Sequence, residues 1–209
     1  ATGEKATITL PDGTLVTLNS NSRLSYTPKV YNKDNRQISF SGEAYFNVAK
    51  DKERPFMIDA RGLKVQVLGT KFNLSVRKED KNAELFLESG KVLFTSLLKR
   101  ESVVLSPNQK LTMNQMTGEM SVMKETDNMV SAWRRNEMIF RNAPFESVVK
   151  AIENVYGVRI RMEYKSDSMD VFTGTLVTND LNSVLEVIET TNNLKATKTN
   201  NVISIGRTK

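Results

Sequence analysis

The chain has 209 residues, 39% of them hydrophobic and 26% charged, which is length for one large domain or two small ones and apolar content for a buried core. Histidine and cysteine are both absent, which excludes Ser-His-Asp and Cys-His nucleophiles and disulfide staples and removes the usual ligands of zinc. The net charge of +6 is spread through mixed runs such as Lys50-Asp51-Lys52-Glu53-Arg54 and Arg77-Lys78-Glu79-Asp80-Lys81, so it reads as solvated turns and no nucleic-acid partner is expected.

In chain order, Ala6–Leu10 alternates as a strand, Pro11-Asp12-Gly13-Thr14 supplies a turn, and Leu15–Leu18 returns. Pro presets the turn backbone and Gly accepts positive φ, so this is a hairpin with a mechanism. Further strands are expected at Arg36–Phe40, Ala44–Ala49, Phe56–Ala60, Leu63–Leu68, Lys71–Arg77, Ala83–Glu88, Lys91–Ser96, Glu101–Leu105 and Lys110–Asn114. Turn signals separate them at Ser41-Gly42, Arg61-Gly62, Ser89-Gly90, Ser106-Pro107-Asn108 and Thr117-Gly118. Short strands punctuated this often predict a mainly β domain over residues 1–122, a sandwich or a coiled β structure. Residues 123–136 read as a linker that carries the sole tryptophan, Trp133.

From residue 137 the period becomes helical. Pro144 suits a first helical position and Asn142 a cap, with Phe145, Val148, Val149, Ile152 and Val155 on one face and Gly157 as a left-handed stop. Val158–Met162 follows as a strand. In a second helix Asp180 caps, Leu181, Val184, Leu185 and Ile188 form the stripe, and Asn192-Asn193 ends it before a strand at Leu194–Thr197. The two segments superimpose at an offset of 36 residues, Phe145 on Leu181, Ile152 on Ile188, Glu153 on Glu189 and Gly157 on Asn193. Residues 137–209 therefore read as a small α+β domain of two β-α-β units with a final strand at Val202–Ile205, its two helices on one face of a sheet.

No run approaches the ~18 consecutive apolar residues that a membrane span requires, and no basic-then-apolar leader opens the chain. Among single features, Gly42 reads as a bulge or tight turn and Glu43 as its structural partner. Val67-Leu68-Gly69-Thr70 lacks the Gly-Lys-Ser/Thr ending of a phosphate loop. Asp167, Asp170 and Asp180 are too scattered for a calcium loop. Trp133 reads as a packed residue at the domain junction, against a sugar-stacking role. Met113, Met116, Met120, Met123 and Met129 cluster towards the linker, as gap-fillers or as an adaptable surface. No cofactor or metal site is expected.

Several of these segments together resemble the FecR family of membrane-anchored anti-sigma regulators. They are Leu10-Pro-Asp-Gly-Thr14; Arg36, Ile38, Phe40 and Gly42-Glu43-Ala44-Tyr45-Phe46; Val48-Ala49-Lys50 running to Arg54-Pro55-Phe56; Val67-Leu68-Gly69-Thr70 with Phe72-Asn73; and Gly90 with Val92. Trp133, Phe140, Pro144, Tyr156-Gly157 and Phe172-Thr173-Gly174 are similar to the companion C-terminal domain, itself similar to the short N-terminal module of secretins and TonB-dependent transporters. Pro107-Asn108-Gln109 stands where family members often have Pro-Gly-Glu or Pro-Gly-Gln, a change that Asn tolerates.

The resemblance implies a non-enzymatic periplasmic region of a single-pass inner-membrane protein. It would relay the loading state of an outer-membrane TonB-dependent transporter, through that transporter's N-terminal signalling domain, to an extracytoplasmic-function sigma factor. The cytoplasmic segment that holds the sigma factor and the membrane anchor have no counterpart in this sequence, as expected of a trimmed periplasmic region. Sheet edges accept an added strand, so Phe172–Val177 and Val202–Ile205 are the expected contact strands, with Phe172, Thr173, Gly174, Leu176, Ile203 and Ile205 as partner-binding residues. Two other classes make distinct predictions. A carbohydrate-binding β module needs an exposed aromatic platform, for which Tyr26, Tyr31 and Tyr45 are the test, and a carboxylate-only hydrolase needs a pocket with facing carboxylates about 5–10 Å apart.

Overall fold

The computed structural model describes residues 4–33, 35–125, 128–164, 170–199 and 202–208, with the backbone alone at 128–131. It divides into two compact units, Glu4–Ser131 and the chain from Ala132 onward.

The first unit opens with the expected hairpin of β1 (Ala6–Thr9) and β2 (Leu15–Leu18). Gly13 holds φ +82° in the turn, and the Asp12 carboxylate accepts both the Thr14 N–H and the Thr14 hydroxyl. A short β3 (Arg23–Ser25) leads to β4 (Arg36–Asn47), then β5 (Phe56–Ala60), β6 (Leu63–Val67), β7 (Lys71–Val76), β8 (Asn82–Ser89), β9 (Val92–Ser96), β10 (Glu101–Leu105), β11 (Gln109–Asn114) and β12 (Met120–Lys124). Asn108 takes φ +62° in the turn before β11, the left-handed conformation its residue type accepts.

The turn expected at Ser41-Gly42 does not form. Arg36–Phe40 and Ala44–Asn47 are instead one strand that changes partners at Gly42. The first half of β4 pairs with β5 in parallel and β3 antiparallel, and the second half pairs with β2 and β7. One layer is therefore β3-β4-β5-β6-β9-β10 and the other β1-β2-β4-β7-β8-β11-β12, joined as a single twelve-stranded sheet. A strand that switches layers is how a sandwich turns a corner. Gly42 makes the corner feasible: its φ is +104°, and a Cβ there would lie 2.5 Å from Ser22 Cα.

The alternation of β4 sends Ile38 and Phe40 from one half, and Ala44 and Phe46 from the other, into one buried core. Phe46 stacks on Phe72 with centroids 5.0 Å apart and meets Phe40 edge-on at 5.3 Å, joining the layers through aromatic pairs. The sandwich-or-coil expectation thus resolves as two layers sharing a strand.

Residues Asn128–Arg135 form a 3-10 helix, and β12 runs to Lys124. The second unit then follows as β13 (Glu137–Pro144), α1 (Phe145–Tyr156), β14 (Arg159–Met162), β15 (Val171–Val177), α2 (Leu181–Asn192), β16 (Leu194–Thr199) and β17 (Val202–Arg207). The two β-α-β units stand as expected, but their strands do not share one sheet. β13 pairs with β15, while β14, β17 and β16 form a separate three-stranded sheet. Each unit starts in one sheet and ends in the other, and each helix contacts strands of both. Phe145, Val148, Val149 and Ile152 of α1 and Val184, Leu185 and Ile188 of α2 are buried accordingly.

The 36-residue repeat is carried in detail. Gly157 and Asn193 both adopt the left-handed C-cap, and their N–H groups donate to Glu153 O and Glu189 O. The Glu153 carboxylate accepts the Ile160 N–H at 2.7 Å, and the Glu189 carboxylate accepts the Ala196 N–H at 2.6 Å. The β13–β15 register obeys the same relation: advancing Phe140 by 36 and retreating its partner Gly174 by 36 gives the observed pair Leu176–Met138. The helix starts differ. Pro144 is the N-cap of α1 and offers no side-chain bond, so Asn142 is not the cap; it sits at φ +48° in a β13 bulge, its N–H donating to Thr173 Oγ1. Asp180 caps α2 by accepting the Ser183 N–H at 2.8 Å. No helix among the described residues is long and apolar enough to cross a membrane.

Candidate interaction surfaces

Several polar side chains of the first unit that the resemblance singles out, among them Asp12, Arg36, Glu43 and Asn73, converge on two internal clusters. Arg36 shares its strand parity with Ile38 and Phe40, and its side chain is 1% exposed. There it pairs with Asp12, itself 3% exposed, at 3.2 Å. Its remaining donors reach three main-chain carbonyls, those of Ala49 at 2.7 Å, Arg54 at 2.7 Å and Asp51 at 3.3 Å. Thr14, held by Asp12, accepts the Ala49 N–H at 3.1 Å. Three stretches of chain, the β1–β2 turn, β4 and the loop from Ala49 to Arg54, are thereby tied to one guanidinium, and both buried charges have a partner. Tyr31 packs against this cluster; burial, then the Asp12 charge, holds its phenol well above the usual range. On the loop beyond, the Asp51 carboxylate lies below its usual range because it accepts the Arg54 N–H, and the Glu53 N–H with it.

The second cluster surrounds Glu43. Its carboxylate accepts from Asn19 Nδ2 at 2.9 Å, Asn73 Nδ2 at 3.1 Å and the Arg77 guanidinium at 3.3 Å, and Arg77 also donates to Ser20 O. Glu43 is thus the structural partner expected of it, beside the Gly42 corner. Neither arginine was identified as a buried pair from sequence. The available signal was Arg36 itself, a charge set at the apolar parity of a strand.

Of the residues assigned to partner binding, the structure brings none into an exposed apolar patch. Phe172 and Leu176 point into the core of the second unit, as do Ile203 and Ile205. β17 is the central strand of its sheet, flanked by β14 in parallel and β16 antiparallel, so the expectation of a free edge at Val202–Ile205 is overturned. A strand at the chain end is drawn to the middle because its alternate Ile203 and Ile205 find cover only there. β15 differs. It pairs with β13 alone among the described residues, and Val171, Thr173, Thr175 and Val177 are exposed on its outer face, Gly174 half-buried among them. The strand offers backbone and small side chains, not the large apolar residues first assigned.

The aromatic platform fails as a sugar surface, since Tyr31, Tyr45 and Trp133 are buried. Burial, with the Asp180 charge second, pushes the Tyr156 phenol up to about 12. Met113 is in the core whereas Met116 and Met123 are exposed, so the methionines form no single surface. Asp167 and the Met129 side chain lie outside the described residues.

Residues 1–93 match the family described as FecR protein, and residues 137–205 match that described as FecR, C-terminal. Among solved structures, two crystal structures of a candidate anti-sigma factor from Parabacteroides distasonis ATCC 8503 are each 30% identical to this chain and cover 100% of it. One superimposes with a TM-score of 0.86 over 97% of its own chain, the other with 0.85 over 96%. No curated protein gives a match. With both halves matched in order and the fold shared end to end, the chain is a member of the FecR family of anti-sigma regulators.

Proposed function

We propose that this chain is the periplasmic region of a non-enzymatic anti-sigma regulator, which relays the loading state of a TonB-dependent outer-membrane transporter to an extracytoplasmic-function sigma factor. Residues 1–122 act as the family's β domain, 137–209 as the contact domain and 123–136 as their connection. The sigma factor is held by a cytoplasmic segment, across an inner-membrane anchor, outside these 209 residues. The observation that carries the contact is the two-stranded sheet β13–β15, which leaves strand edges unpaired among the described residues. An unpaired edge accepts a partner strand through main-chain hydrogen bonds, with specificity set by alternate side chains. Thr173, Gly174 and Thr175 impose little steric barrier to such an approach, and Phe172 and Leu176 fix the strand by anchoring it inward.

The test is photocrosslinking in cells from Thr173, Thr175 and Val177, which are exposed, with Leu176 and Ile203, which are buried, as internal controls. Capture of a transporter through its N-terminal domain, from the exposed positions alone and under inducing conditions, is the expected result. Correctly exported protein that captures no transporter from these positions removes β15 as the interface.

A further inference from the structure

The first unit carries a groove of about 700 Å³ over the outer face of β6, β9 and β10. Its floor follows the sheet register, Gln66 beside Leu93 and Leu93 beside Val104. Leu68 and Val104 are 44% and 62% exposed, so apolar surface here meets water without cover from the first unit's own core. The walls come from two tight turns. A Cβ on Gly69 would lie 2.8 Å from Lys50 Cα, and one on Gly90 would lie 2.7 Å from Thr70 Oγ1, so glycine is what lets these turns close on each other.

Three cations line the rim: Lys50, Lys52 and Lys91, all exposed. None of their ammonium groups is in an ion pair among the described residues, although mixed-sign pairing is common elsewhere on this unit, as in Lys64–Asp59 and Lys110–Glu84. Along one side runs β10, the last strand of its layer, which pairs only with β9 among the described residues. Its outer backbone edge is open beside Val104, itself a lining residue.

An apolar floor, an unneutralised basic rim and an open strand edge select one kind of occupant. Lysines alone would suit any polyanion, and apolar residues alone any greasy surface; the strand edge requires a polypeptide. We propose that this groove and the β10 edge beside it bind an extended acidic segment of another protein, added to β10 as a further strand, with apolar side chains against Val104 at the border of the floor and carboxylates towards the rim of Lys50, Lys52 and Lys91. The site lies wholly in the first unit and does not depend on the transporter contact proposed for β15.

The probe is a capped eight-residue peptide of alternating Glu and Val, titrated into the ¹⁵N-labelled chain. Amide shifts confined to Glu101–Leu105, Leu93 and the Gly69 and Gly90 turns are expected. The double substitution Lys50→Gln and Lys91→Gln should weaken binding about 3–10-fold, the size of two exposed ion pairs, with an otherwise unchanged spectrum. A peptide N-methylated at alternate amides should not bind, because it cannot complete a strand ladder. Absence of shifts on β10 would overturn the proposal, as would equal binding of the N-methylated peptide or of a Lys-Val peptide. Dextran sulfate producing the same shifts as the Glu-Val peptide would reassign the rim to polyanions in general and overturn it equally.

Discussion

The two units solve the problem of register by opposite means. The first joins hairpins of consecutive strands through pairings far apart in sequence, such as β2 with β4 and β6 with β9, and it pins distant segments with charges: Asp12 to Arg36 across 24 residues and Glu43 to Arg77 across 34. The second repeats a local device, a helix glutamate that accepts the N–H seven residues on, at Glu153 and again at Glu189. A strand slipped by one residue turns its apolar face outward, so a sheet of distant partners gains most from a directional bond that only one register satisfies. A β-α-β unit fixes its own register through the helix stripe and needs only a short-range tie at the exit. Ion pairs here specify alignment, and their worth lies in what their absence would permit.

The largest test removes the pin of the first unit. Arg36→Leu leaves Asp12 buried without its partner and frees three carbonyls, at a cost of about 3–5 kcal/mol in urea unfolding of that unit. Adding Asp12→Ala to Arg36→Leu should recover part of this loss; a double variant as unstable as the sum of the singles would show that the pair is not coupled. Next is the corner: Gly42→Ala forces a Cβ against Ser22 at positive φ and should cost about 1–3 kcal/mol, read as a lowered midpoint for the first unit. Of similar size, and aimed at the second unit, Glu153→Ala and Glu189→Ala each remove one charge-assisted bond to a main-chain N–H, about 1.5–3 kcal/mol apiece. The repeat predicts that the two losses agree closely in the unfolding of that unit, and a wide disparity would break the equivalence of its halves.

The smallest effect separates the two helices by acid. Asp180 is held below the usual carboxylate range, first by the Ser183 N–H and then by the Ser183 hydroxyl. Its folded value lies below its unfolded one, so its stabilisation of α2 is complete above about pH 4 and fades as pH falls through the folded value. Amide protection in the first turn of α2 should therefore drop below about pH 4, while that of α1, capped by Pro144 without a side-chain bond, shows no matching step.

Periodicity made much of this architecture legible. The helix stripes, the Gly157 and Asn193 stops and most strands follow from apolar spacing and turn chemistry, which are local. What escaped is non-local. Gly42 looks like a turn because glycine with serine usually is one; that β4 passes through it depends on β2 and β7 arriving to pair with its second half. Ile203 and Ile205 look like an edge strand because they come last, whereas their place between β14 and β16 is set by the need to cover both apolar side chains. The same tertiary choice relocates the expected contact residues: Phe172 and Leu176 are core, and the accessible positions are the threonines and valines that alternate with them. The groove beside β10 was equally unreadable, for its residues come from separate stretches of chain.

The strand shared by both layers of the first unit also governs how that unit can be lost. Because β4 supplies the neighbour of β3 and β5 in one layer and of β2 and β7 in the other, neither layer keeps a complete sheet or a closed core without it. Disassembly of the first unit is then one cooperative event, with no half-structure to persist. A protease that acts on opened chain then meets either an intact domain or a fully unfolded one, and its cutting of this unit is all-or-none.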